Sequence, residues 1–211
     1  MGSKERKERE RDAVRTKILD AARELFAAHG YEGVSMRAIA DKIEYSPTAI
    51  YQHFEDKEAL VLELCRADFG QLADYFQSTL AAADSLERLR QCGLAYARFA
   101  IAYPNHYRLM FMTPRPVKGD EETRKERQGN PETDAYAFLR ALVEMLAAEG
   151  RLRDPKADVD LVAQTLWAGL HGAIALELAM QGDEWLHWRS FDDRIVAMID
   201  TMMRGLFVEK S

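Results

Sequence analysis

Gly33-Val34-Ser35-Met36-Arg37-Ala38-Ile39-Ala40-Asp41-Lys42-Ile43-Glu44-Tyr45-Ser46-Pro47-Thr48-Ala49-Ile50-Tyr51-Gln52-His53-Phe54 is the stretch on which the fold turns. Ser35 has the chemistry of a helix N-cap, a short side-chain oxygen able to accept from the first free amides, and it introduces a short helix over 36–43. Ile39, Ala40 and Ile43 give that helix one apolar face. Glu44-Tyr45 is the turn. Ser46-Pro47 then opens another short helix, ending near His53-Phe54, because proline at the first helical position lacks only an amide that would have no partner there. Two short helices joined by a tight turn suit a helix-turn-helix, whose second helix enters the major groove. Spacing alone leaves ordinary packing in an all-α protein equally open.

The surrounding sequence is helical on both sides. Over 12–28, Val14, Ile18, Ala21, Ala22, Leu25 and Phe26 recur at helical spacing, and His29-Gly30 closes the segment with glycine at the C′ position. Asp56 can cap a linking helix over 57–80 with Leu60, Leu64, Ala67, Leu72, Phe76 and Leu80 inward. Further helices are predicted at 86–103, 133–149, 158–181 and 191–207, with a short aromatic and Met-rich segment at 105–111 after Pro104. The charge run 120–127, flanked by prolines, reads as a mobile loop or a solvated helix face. Lys4–Arg11 carries five basic and three acidic residues. That arm is expected to be disordered, a solubilising tail or a strand of cations for phosphate or the minor groove.

Composition supports an all-α chain. Of 211 residues 47% are hydrophobic, enough for a sizeable core, and only six prolines and 12 glycines interrupt them. Cys65 and Cys92 lie far apart in helical patterns, so neither a disulfide framework nor a metal site is expected, and a reducing, cytoplasmic compartment follows. The polar N-terminus has no signal-peptide core. The longest apolar run, 161–180, is interrupted by Gln164, His171 and Glu177, so no membrane span is expected. A net charge of -6 argues against nucleic acid until its distribution is read: residues 1–57 carry 11 Lys/Arg and 11 Asp/Glu, the remainder 18 and 24. A local basic surface would suffice.

Residue detail carries the reading further. Gly30 through Ser35, Ile39-Ala40, the run Ile50-Tyr51-Gln52-His53-Phe54 and Lys57 together resemble the N-terminal domain of the TetR family of transcription regulators. Thr48-Ala49-Ile50 departs from that pattern, which usually has glycine before the Thr-Leu-Tyr step, and this leaves base preference open. The resemblance implies a three-helix DNA-binding domain over 12–72. Its contacts would be made by Ser35, Arg37, Tyr45, Ser46, Pro47, Thr48, Ala49, Tyr51, His53 and Lys57. Hydroxyls and Lys57 suit phosphate oxygens, while the small Thr48 and Ala49 permit close approach to thymine methyls. His53 and Tyr45 are equally readable as packing residues.

The resemblance further implies a helical bundle over 73–207 for ligand binding and dimerisation. Leu166-Trp167-Ala168-Gly169-Leu170-His171-Gly172 resembles the Trp/His/Gly-containing C-terminal domain of one TetR subgroup. The family's interface on its last two long helices maps onto the stripe Ala168, Gly172, Ala175, Ala179 and onto Ile195, Met198, Ile199, Met202 and Leu206, with intrachain packing as the alternative. Tyr103, Phe111, Trp167, His171 and Glu177 are the candidate ligand-binding residues. The expected protein is a ligand-responsive repressor that binds a near-palindromic operator in double-stranded DNA as a homodimer. A small, largely apolar effector releases it. No cofactor, metal or catalytic residue is assigned: the chain has no phosphate-binding glycine loop, nucleophile elbow or paired metal motif. The alternative is a helical ligand-binding or interaction protein without DNA binding.

Overall fold

The computed structural model describes residues 3–113, 129–131, 134–180 and 186–209. The charge run at 120–127 lies outside them. Two compact units emerge.

The first unit comprises, among the described residues, 3–69 and 105–113. Helix α1 (Ser3–His29) begins nine residues before the expected start. The arm expected to be disordered is its first turns. Glu, Lys and Arg are strong helix formers, and Arg6 pairs with Glu10 at 3.0 Å one turn on, so a segment with no apolar period still winds. Helix α2 (Met36–Lys42) and helix α3 (Pro47–Tyr51) follow, then the first turns of α4 (Lys57–Gln77). The core of the unit joins Ile18, Ala22 and Phe26 of α1 to Met36 and Ile39 of α2, Ile50 of α3, and Leu60 and Leu64 of α4.

The caps are those the sequence requires. Ser35 Oγ accepts from Ala38 N at 3.1 Å, Ser46 Oγ from Ala49 N at 3.2 Å and Asp56 Oδ1 from Ala59 N at 2.7 Å. Helix α2 ends in a Schellman arrangement: Tyr45 N donates to Ala40 O at 3.0 Å and Glu44 N to Asp41 O at 3.3 Å. The C′ residue is Glu44, at φ 60, a left-handed conformation for a residue with a Cβ.

The segment after Pro104 also belongs to this unit. It forms helix α6 (Pro104–Tyr107) and one π-helical turn, Arg108–Met112. Leu109 is fully buried in the core just described, and the rings of Phe69 and Phe111 meet edge to face at 5.6 Å. Beside them Asp68, 1% exposed, accepts from Arg23 Nη2 at 2.9 Å and faces His106 Nδ1 at 3.0 Å. A buried carboxylate left without a partner would be strongly destabilising, and Arg23 supplies that partner here.

The second unit contains 70–104 and the described residues from 129 onward. After a 3₁₀ turn at Ser78–Ala81 come α5 (Ser85–Ala102), α7 (Ala135–Ala148), α8 (Val159–Met180) and α9 (Phe191–Leu206). Asp84, Asp134 and Ser190 cap α5, α7 and α9. The helices pack most closely where glycine removes a side chain. A Cβ on Gly169 would lie 2.6 Å from Met202 Sδ, and one on Gly93 3.1 Å from Ile199 Cδ1 and Leu170 Cδ1.

Two sequence expectations change here. Ile195 and Ile199 are buried inside their own chain, so they build the core and not an outward interface; the exposed residues of α9 include Ala197, Thr201 and Gly205. By length and composition, α8 is apolar enough to cross a membrane despite Gln164, His171 and Glu177. The excess apolarity has two sources, an inward face of Val162, Leu166, Leu170 and Ile174 and an outward face of small and aliphatic residues.

The strained turn gives a direct test. Glu44→Gly keeps the Schellman bonds and removes the Cβ clash, so it is expected to stabilise the chain by about 1 kcal/mol. Urea unfolding of the two proteins measures this; an unchanged or lowered midpoint would contradict the left-handed turn.

Candidate nucleic-acid interface

Helix α3 has only five residues, and each side has a distinct task. Ile50 is fully buried, and Phe54 follows it into the core. On the other side Thr48 is exposed and Tyr51 is 54% exposed, with Pro47 and Ala49 half-buried between the two sides. Ser35 and Ser46 are exposed, and each hydroxyl accepts its capping bond while keeping its own proton to donate. Arg37 is exposed, 3.9 Å from Asp41 in a loose surface pair worth little in water. Tyr45 is exposed at the turn. Most of the sequence candidates therefore present side chains beside α3 or on the turn and helix before it.

Lys57 is placed differently. Its ammonium donates to Tyr31 O at 2.9 Å and Val34 O at 3.1 Å, and lies 4.0 Å from the centre of the Tyr31 ring. Two of its three protons are thus committed to the loop between α1 and α2. The charge that sequence reasoning gave to a phosphate already holds the start of α4 against that loop.

His53 sits at the C-terminal end of α3, half-buried. Its Nδ1 is buried and has no hydrogen-bond partner among the described residues. Desolvation, reinforced by the positive charges of Arg11 and Arg15, holds its pKa below the ordinary value. Arg15 is the functional residue that sequence reasoning missed. Its guanidinium donates through Nη1 to His53 O at 3.1 Å and through Nε to Glu63 Oε1 at 2.8 Å, and it lies 4.5 Å from the centre of the Phe54 ring. It clamps the end of α3 between α1 and α4. Its partners are 38 and 48 residues away, so no local pattern announces it.

The candidate ligand residues divide between the units. In the second, Trp167 Nε1 donates to Tyr96 OH at 3.0 Å, and its ring lies 6.2 Å from Tyr136 and 6.4 Å from His171. Burial alone lowers the His171 pKa. Tyr103 packs against Phe99 and Tyr75. Glu177 is ion-paired with Arg194 of α9, which accounts for a carboxylate in an apolar helix. Phe111 lies in the first unit with Phe69 and Tyr107.

A capped helix-turn-helix on a small helical core, with a separate helical unit in the same chain, defines a class of bacterial regulator. Comparison with known proteins makes the assignment specific. Residues 18–64 match the model for bacterial regulatory proteins of the tetR family, and 89–202, just over half of the chain, match the tetracycline repressor-like C-terminal domain. The chain belongs to the tetR family. Over 60 residues it is 45% identical to the HTH-type transcriptional repressor AcnR of Corynebacterium diphtheriae, covering 28% of this chain and 32% of that one. It is 42% identical over 59 residues to the HTH-type transcriptional regulator UidR of Escherichia coli K12, covering 28% and 30%. The chain thus matches about a third of the length of these curated relatives. A TetR family transcription regulator from Marinobacter aquaeolei VT8 shares the fold, with a TM-score of 0.75 at 20% identity over 96% of this chain and 100% of that one.

Two outcomes follow from the geometry. Lys57→Met leaves the Tyr31 and Val34 carbonyls without their donor and is expected to cost about 1–3 kcal/mol of stability, read from urea unfolding; an unaltered midpoint would remove the structural role. His53 has a folded pKa below its unfolded value of about 6.5. The unfolded chain therefore binds the proton first, and stability is lost as pH falls through 6.5 toward the lowered folded value. His53→Gln should flatten the fall in unfolding midpoint between about pH 7.5 and 5.5; an identical fall in both proteins would contradict the lowered pKa.

Proposed function

We propose that the chain is a ligand-responsive transcriptional repressor that binds a near-palindromic operator as a homodimer. In this reading residues 12–72 bind DNA, and residues 73–207 bind the effector and dimerise. The observation that carries it is the two-sided construction of α3, with Ile50 in the core and Thr48 and Tyr51 facing solvent. A major groove about 12 Å wide admits such a helix. Thr48 and Ala49 would approach base edges. Tyr51, Ser46, Ser35, Tyr45 and Arg37 would hold phosphates, which fix register without reading sequence. Pro47 starts the helix, His53 sits at its far end, and Lys57 holds the loop before α2, with its third proton left for a phosphate. The reading assigns no reaction to the chain and puts it in the cytoplasm, where the DNA is.

The homodimer rests on α8 and α9. Ala168, Gly172 and Ala179 are exposed, Ala175 is half-buried, and Leu161 and Leu176 on the same helix are 63% and 49% exposed. A Cβ on Gly172 or Gly205 would meet nothing within 4 Å of its own chain. An apolar face of small residues with no cover in its own chain suits a second copy approaching closely. Two-fold symmetry then sets the half-sites about one helical turn apart, roughly 34–36 Å. Effector binding rests on the Tyr96, Tyr136, Trp167 and His171 cluster, which offers apolar ring surface with a few polar groups for a small, largely apolar molecule. Tyr103 and Glu177 are the further candidates within the same unit.

The test begins with duplexes selected by the full chain from a random-sequence pool. The expected result is a near-palindromic consensus bound by a dimer, with Thr48→Ala altering the preferred bases and Tyr51→Phe weakening all duplexes alike. Gly172→Glu is expected to yield monomer by sedimentation and to lose operator binding while keeping its helical content. Failure of the pool to enrich would leave the helical interaction protein without DNA binding as the better reading. For the effector, any operator-releasing compound must bind less tightly when operator is present, by the same factor. Trp167→Ala is expected to keep operator affinity and to lose the response.

A further inference from the structure

The first turns of α1 extend beyond the core. Residues 5–13 are all exposed, and no residue before Ile18 belongs to the buried cluster. Two of the cations there are already occupied. Arg6 pairs with Glu10, and Arg9 donates to Glu5 O at 3.3 Å. Lys7 and Arg11 are exposed and have no ion-pair partner among the described residues. They stand two turns and one turn before Arg15 on the same side of the helix. Arg15 is the residue whose guanidinium reaches the His53 carbonyl at 3.1 Å. The side of α1 that meets the end of α3 therefore continues as two uncommitted positive charges.

We infer that the amino-terminal turns of α1 form a second nucleic-acid contact, in which Lys7 and Arg11 bind backbone phosphates flanking the base pairs that α3 faces. This rests on the operator-binding reading above. The two residues are about 6 Å apart along the helix axis, close to two phosphate steps on one strand at about 3.4 Å each. Cations on an exposed helix face carry no base information, so the contact adds affinity and position.

The experiment uses the full chain and a duplex it has selected from a random pool, with affinity followed by fluorescence anisotropy between about 50 and 200 mM KCl. Lys7→Gln with Arg11→Gln is expected to bind at least about tenfold more weakly at low salt. The slope of log affinity against log salt should fall by about 0.9 for each phosphate that is no longer neutralised. Lys7→Arg with Arg11→Lys keeps both charges and is expected to retain the slope. Trimming base pairs from the duplex ends should weaken the wild type and leave the doubly neutral variant unaffected. If the wild type binds and the neutral variant matches it in affinity and slope, the flanking contact is overturned and operator binding by α3 stands. If the wild type selects no duplex, operator binding falls and the flanking contact falls with it.

Discussion

A helix of five residues closes barely one turn of hydrogen bonds, so α3 is unable to hold its own shape in water. Its geometry is imposed from outside. Ser46 fixes the first turn, Pro47 sets the entry dihedral, Ile50 anchors the inner side, and Arg15 ties the His53 carbonyl just past the helix end to α1 and α4. In the operator-binding reading, the groups that α3 itself would offer to DNA inherit their positions from these four supports. The left-handed Glu44 is part of the same constraint, because it brings the chain out of α2 at the angle from which α3 can start.

The unit supplies these supports with cations. Lys57 holds the loop between α1 and α2, Arg15 the end of α3, and Arg23 the buried Asp68. A positive residue in this chain is therefore more informative by its partner than by its charge. This reconciles a neutral first 57 residues with the proposed DNA-binding role: Arg15 and Arg23 are spent on ordering the unit, whereas Lys7, Arg11 and Arg37 stand exposed and would be left for phosphate. Each internal cation also satisfies backbone carbonyls or a carboxylate that would be costly to leave bare.

Features set by neighbours in sequence were legible in it. Ser35, Ser46 and Asp56 cap the helices they precede, Gly30 takes the left-handed C′ position, and Ile39 and Ile50 fall on inner faces, because capping and periodicity act within a turn. Features set by distant partners were not. Glu177 reads in the sequence as a lone carboxylate in an apolar helix, and its partner Arg194 lies on another helix 17 residues away. Ile199 reads as an outward apolar position, because periodicity gives the width of an apolar stripe without saying which neighbour covers it. The first turns of α1 were missed for the opposite reason, since a polar helix held by side-chain pairs along its own surface has no hydrophobic period to find.

The burial of Leu109 among residues of α1 and α4 has a consequence in time. The first unit is discontinuous in sequence: the chain departs after Phe69 and returns at Asn105. At synthesis rates of about 5–20 residues per second, the segment 70–104 takes on the order of 2–7 s to appear. Through that interval α3 has a core that lacks Leu109. The second unit's α5 is made before the first unit is closed. Completion of the unit that carries α3 is thus ordered by translation, with part of the second unit already emerged from the ribosome when the first acquires its last core residue.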